Sequence, residues 1–164
     1  MSDRAQEALI AEIATRLTAR REWLAVAESC TGGLIAAACT ARAGSSAWFE
    51  RGLVTYSNRA KQELLGVGES LLGSFGAVSE PCVRAMAEGL MARAPVQHSI
   101  AVSGIAGPSG GTADKPVGTV WIAWAGHGGA QARAYLFTGD REAVRQQAVD
   151  AALQGLIERL AAAA

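Results

Sequence analysis

Ser29 and Cys30 stand side by side in "VAESCTGG", residues 26–33, directly before a glycine pair. Either side chain is a nucleophile once deprotonated. A serine hydroxyl needs a neighbouring base, whereas a cysteine needs only a depressed pKa. A Ser-His-Asp arrangement has no support here, because His98 precedes one apolar run and His127 sits in a glycine-rich turn, both away from Ser29. Lysine is the other common base. Thirteen arginines against two lysines, Lys61 and Lys115, make each lysine conspicuous. Only Lys61 lies at the start of a helical pattern, where the positive helix end and burial both favour a neutral amine. Tyr56 lies five residues before it. At this level a Ser29 hydroxyl activated by Lys61 is the sharp reading. A capping serine, a buried Cys30 and a solvated Lys61 are the ordinary fates of the same residues.

Two further features bear on chemistry. Thr31, Gly32 and Gly33 fall at a helix start, where unpaired amides accept an oxyanion or a phosphate. "GIAGPSGGTADKPVG", residues 104–118, has five glycines, two prolines and no apolar period, so it reads as a functional loop following Ser103. It is neither a Walker A motif nor the dinucleotide fingerprint. No His, Cys, Asp and Glu spacing suggests a metal, and no cofactor is called for.

The elements that must position these groups follow from periodicity. Helices are expected from Asp3 to about Thr18, from Thr31–Gly33 to Gly44, from Ser57 or Asn58 through Lys61, from Ser79 to about Arg93, and from Asp140 to Leu160. Strands are expected at Trp23–Ala27, Arg51–Tyr56 and Ser99–Ser103, followed by a hairpin of "TVWIAWA" and "ARAYLF" with the second strand at an edge. This order predicts a three-layer α/β/α sandwich with a mixed, mostly parallel sheet. The turns after Ala27, Tyr56 and Ser103 would then share the crevice beyond the strands' carboxyl ends.

A chain of 164 residues that is half apolar fits one domain spanning 1–164. Fifteen basic residues balance fifteen acidic ones, which argues against a nucleic-acid partner, and no apolar stretch suits a bilayer. Three cysteines, an odd number with no metal spacing, and a start without a signal-peptide pattern predict a cytoplasmic setting.

The segments "AESCTGG", "GSSAWFERGLVTYSNRAKQELLGV", "GAVSEP", "SGIAGPSGGTADKPVGTVWIA" and "GDREAVR", taken in order, resemble the C-terminal domain of the competence/damage-inducible CinA proteins in its stand-alone form. The resemblance runs from the first helix to Leu160. It implies hydrolysis of the carboxamide of nicotinamide mononucleotide to nicotinate mononucleotide and ammonia, without a cofactor. A homo-oligomer is expected separately, from a small α/β domain with an alanine-rich terminal helix and tryptophans that look exposed. The resemblance puts the nucleophile on Ser29, the base on Lys61, the active-site tyrosine on Tyr56 and a substrate-facing hydroxyl, often threonine, on Ser103. The oxyanion would be met by amides at Thr31, Gly32, Gly33 or Gly104. The nucleotide phosphate would be met by the loop around Gly104, Gly107, Gly110 and Gly111, with Arg141 or Arg145. A binding or regulatory module of the same fold without turnover is the alternative.

Overall fold

The computed structural model describes residues 3–163. Its strands are β1 (Leu24–Glu28), β2 (Phe49–Val54), β3 (His98–Gly104), β4 (Thr119–Gly126) and β5 (Gly129–Leu136). Its helices are α1 (Asp3–Arg20), α2 (Leu34–Thr40), α3 (Asn58–Leu65), α4 (Glu69–Phe75), α5 (Glu80–Arg93) and α6 (Arg141–Ala162). The sheet order is β2-β1-β3-β4-β5.

The sandwich and the mixed sheet match the expectation, but the predominance of parallel pairing does not. β1 pairs parallel with β2 and with β3, whereas β3–β4 and β4–β5 are antiparallel. A parallel return needs a crossover element, and the 105–118 loop holds no helix, so the chain comes back antiparallel. The following hairpin closes more tightly than the sequence suggests. Gly126 pairs with Gly129, leaving His127 and Gly128 as a two-residue turn in place of a six-residue connection.

The sheet's two faces differ in side-chain size. Leu24, Val26, Ile100, Val102, Val120, Ile122 and Trp124 point to the layer of α1, α2 and α6. The intervening Ala25, Ala27, Ala101, Ala123 and Ala125 point to the layer of α3, α4 and α5. Period-two alternation thus divides large from small residues between two cores. The spacing of four along the last helix places Val144, Ala148, Ala152, Leu156 and Leu160 inward as expected. Helix α4 has no counterpart in the sequence reading, because seven residues with an internal glycine carry little periodic signal.

Gly155 lets α6 lie directly on the Trp124 indole, whose Nε1 donates to Ala152 O at 2.9 Å. A Cβ at position 155 would overlap Trp124 Cζ2, which is fully enclosed. Gly155→Ala therefore lowers unfolding free energy by about 1–3 kcal/mol despite alanine's better helix propensity, an outcome measured by urea denaturation.

Candidate active site

The three parallel strands β1, β2 and β3 all point their carboxyl ends the same way, and the turns after Glu28, Val54 and Gly104 meet there. A cavity of about 280 Å³ opens between them, lined among others by Ser29, Tyr56, Lys61, Ser103 and Arg141. Lys61 reaches it from inside the protein. Ser57 Oγ accepts the Ala60 amide at 3.0 Å, starting α3, and Lys61 follows on the buried face with 1% of its surface exposed.

Lys61 Nζ is 3.1 Å from Ser29 Oγ, 2.8 Å from Thr55 O and 3.3 Å from Tyr56 O. No carboxylate is among these partners. Burial pushes the amine below the ordinary lysine value, with smaller opposing influences from the Cys82 and Cys30 thiols. A neutral amine has two N–H donors and one lone pair. The two carbonyls can only accept, so they take both protons and leave the lone pair to the Ser29 hydroxyl. The pocket therefore suits removal of the Ser29 proton. Cys30 is different: burial raises its thiol to about 11, so it stays protonated at neutral pH. Cys39 and Cys82 are enclosed in the core as expected.

The turn that carries Ser29 is held from two sides. Glu28, 1% exposed at the end of β1, accepts the Ile35 amide on Oε1 at 2.9 Å and the Ala36 amide on Oε2 at 3.1 Å. Gly33, at φ 105°, is the cap residue and brings no side-chain acceptor, so the carboxylate satisfies the first amides of α2. From α6, Arg145 donates through Nε to Cys30 O at 3.0 Å and through Nη2 to Thr31 O at 3.3 Å. Gly32 N closes the turn onto Ser29 O at 3.0 Å.

The sequence candidates separate accordingly. Ser29, Tyr56, Lys61, Ser103, Gly104, Gly107, Gly110 and Arg141 line the cavity, while Thr31, Gly32, Gly33, Gly111 and Arg145 lie outside its lining. Glu28 occupies the Ile35 and Ala36 amides of α2, beyond the Thr31–Gly33 amides considered for an anion, and Arg145 directs Nε and Nη2 to the turn. Tyr56 is 61% exposed, and its hydroxyl accepts from Arg141 Nη2 at 3.2 Å. Arg141 Nη1 donates to Gly107 O at 2.8 Å, tying the glycine-rich loop to the mouth. On the loop's far side Lys115 Nζ donates to Phe75 O at 2.7 Å. Among the described residues no His, Cys, Asp and Glu group is arranged to hold a metal, and no helix is long and apolar enough to cross a membrane.

The CinA C-terminal domain model matches residues 6–160. The chain belongs to the CinA C-terminal domain family. Within it, the chain is 56% identical over 155 residues to a protein of Enterobacter agglomerans named nicotinamide-nucleotide amidohydrolase PncC, covering 94% of each. It is 50% identical over 157 residues to the Escherichia coli K12 protein of the same name, covering 95% of each. The crystal structure of competence damage-inducible protein A from Klebsiella pneumoniae superimposes with a TM-score of 0.92 at 46% identity, covering 95% of this chain and 97% of the other. The CinA fold thus extends over nearly all of the chain, site included.

Glu28 is the residue that sequence reasoning missed, since the expected strand stops at Ala27 and the structure continues it through Glu28. The available signal was a helix start at Gly33 with no Ser, Thr, Asp or Asn at the cap position, which leaves its donors in need of an acceptor from elsewhere. Glu28→Gln retains one carbonyl oxygen and turns an NH₂ toward the second amide. The expected result is about 1–3 kcal/mol of lost stability by thermal unfolding and a roughly ten- to hundredfold lower kcat with little change in KM. An unchanged kcat would show that the carboxylate serves stability alone.

Proposed function

We propose that this chain, as one domain over residues 1–164, hydrolyses the carboxamide of nicotinamide mononucleotide to nicotinate mononucleotide and ammonia. The observation that carries the mechanism is the buried Lys61 amine, placed 3.1 Å from Ser29 Oγ with two carbonyls taking its protons. The substrate follows from half-identity or better, over nearly full length, to proteins named nicotinamide-nucleotide amidohydrolase.

Neutral Lys61 takes the Ser29 proton as Oγ attacks the amide carbon, giving a tetrahedral oxyanion. The amide following a nucleophile is a common oxyanion donor, and the Cys30 amide is in that position. Gly104 supplies the opposing wall. The Lys61 ammonium returns its proton to the amide nitrogen, the C–N bond breaks and ammonia leaves. Water then adds to the acyl-enzyme, giving one proton to Lys61, and the C–Oγ bond breaks as Ser29 regains its proton. The product acid ionises, so one amide and one water yield a carboxylate and ammonium.

Ser103, 1% exposed on the cavity wall, contacts the substrate through its hydroxyl. Tyr56 contributes its main-chain oxygen to hold Lys61, and its hydroxyl to hold Arg141. Arg141 and the amides around Gly107 and Gly110 receive the phosphate at the mouth. Gly111 and Arg145 act from outside the cavity, as support for the loop and the nucleophile turn. No cofactor takes part in this scheme. A cytoplasmic setting suits three free, buried cysteines. Self-association is part of the proposal, with exposed Val54, Leu64, Phe75 and Leu136 as the surfaces available for it.

The test is ammonia release from nicotinamide mononucleotide by purified protein, with nicotinate mononucleotide identified as the second product. Saturable binding without ammonia would reassign the chain as a binding module.

A further inference from the structure

A second and larger cavity, of about 410 Å³, lies at the opposite end of the sheet. His98 at the start of β3 lines it, whereas Ser103 near the strand's end lines the Ser29 cavity, so roughly 17 Å of strand separate the two. The volume is within the usual range for small-molecule sites.

Its chemistry centres on Trp124. The indole is 1% exposed, with Gly155 packed against it, and the Arg159 guanidinium lies over the ring at 3.9 Å from the centroid. Arg133 approaches the same ring at 5.8 Å. Arg159 donates from Nη1 to Gly155 O at 2.9 Å, but its Nε is enclosed and donates to nothing among the described residues. Burial and the neighbouring Arg133 charge both work against the Arg159 cation. The acids nearby do not cancel the pair. Glu158 meets Arg133 at 3.3 Å, half exposed, while Glu22 is engaged with His98 at 2.6 Å and lies 3.8 Å from His127. Among the described residues, two guanidiniums thus face one partly screened carboxylate beside a largely apolar wall that includes Leu156 and Ala162.

We propose that this cavity binds a small planar organic anion, an aromatic ring bearing a carboxylate or phosphate. A guanidinium with one face on an indole offers its other face to a second planar group, and its edge nitrogens to an anion. The ring stacks on Arg159 to continue the Trp124–Arg159 stack, and the anionic group lies between Arg159 and Arg133. The site is independent of Ser29 and Lys61, and neither residue lines it.

The test is a ¹H–¹⁵N titration of Ser29→Ala protein with nicotinate and, separately, with adenosine 5′-monophosphate, inorganic phosphate serving as the ringless control. The expected result is saturable movement of the Trp124 indole and the Gly126 and Gly128 amides with at least one aromatic anion, and weaker binding of phosphate alone. Arg133→Gln, on the exposed side of the pair, and Arg159→Gln each weaken that response about tenfold or more, with resonances at the Ser29 cavity unaffected. Movement confined to the Ser29 cavity, or a Trp124 response indifferent to Arg133→Gln, would overturn the proposal. So would Trp124 shifts that follow protein dilution instead of ligand, because a second copy would then be covering the cavity.

Discussion

Ser29→Ala lowers kcat for ammonia release by on the order of 10⁴-fold or more, while Cys30→Ala retains turnover within about tenfold of the parent. The contrast arises from two neighbouring residues with opposite surroundings. Ser29 Oγ is 3.1 Å from a buried amine whose other hydrogen-bond partners are acceptors, so a proton has somewhere to go. The Cys30 thiol is held up at about 11 by burial and has no comparable base. Alanine at 29 leaves Lys61 bonded to Thr55 O and Tyr56 O, so the unfolding free energy changes by about 1 kcal/mol. Steady-state ammonia assays of both variants beside thermal unfolding check this. Turnover surviving in Ser29→Ala and lost in Cys30→Ala would transfer the nucleophile to the thiol.

Lys61→Met carries a comparable penalty, about 10²–10⁴-fold in kcat, because the hydroxyl loses the base 3.1 Å from it. Its effect on stability has a pH signature. The folded-state pKa of Lys61 lies below the ordinary 10.5, so between that lowered value and 10.5 the unfolded chain binds a proton that the folded chain does not. Wild-type stability therefore rises with pH through this window, and the full cost of burying the ammonium is present below it. Lys61→Met lacks the group, so urea unfolding across the window should show a flatter dependence on pH. The parent enzyme's kcat/KM should rise with pH to a plateau whose midpoint falls below 10.5, since only the neutral amine accepts the serine proton. A profile that falls over the same range would make Lys61 an electrostatic group and remove its role as base.

Much of this was legible in residue order. Local signals are short-range: Ser57, Ser79 and Asp140 cap the helices they precede, and alternation in "TVWIAWA" marks a strand, because each depends on neighbours a few residues away. The identities of Ser29, Tyr56, Lys61 and Ser103 as cavity residues followed from turns at the ends of strands expected to be parallel. Those three strands are parallel, so the turns converge. The sheet as a whole diverged because the last third of the chain returns through a loop and a two-residue turn, and strand direction there depends on what the loop lacks.

Composition, periodicity and motif order by themselves determined the layer architecture, the family resemblance and the pairing of a serine with a lysine as the chemistry to look for. Tertiary structure alone decided how that pair is tuned. Lys61 is 32 positions from Ser29, and its lone pair faces the hydroxyl only because two main-chain carbonyls in the turn after β2 take its protons. Arg145, 115 positions from Cys30, pins the turn, and Glu28 takes the Ile35 and Ala36 amides at the start of α2. These contacts join segments distant along the chain, so they depend on packing between layers, and neither propensity nor spacing encodes them.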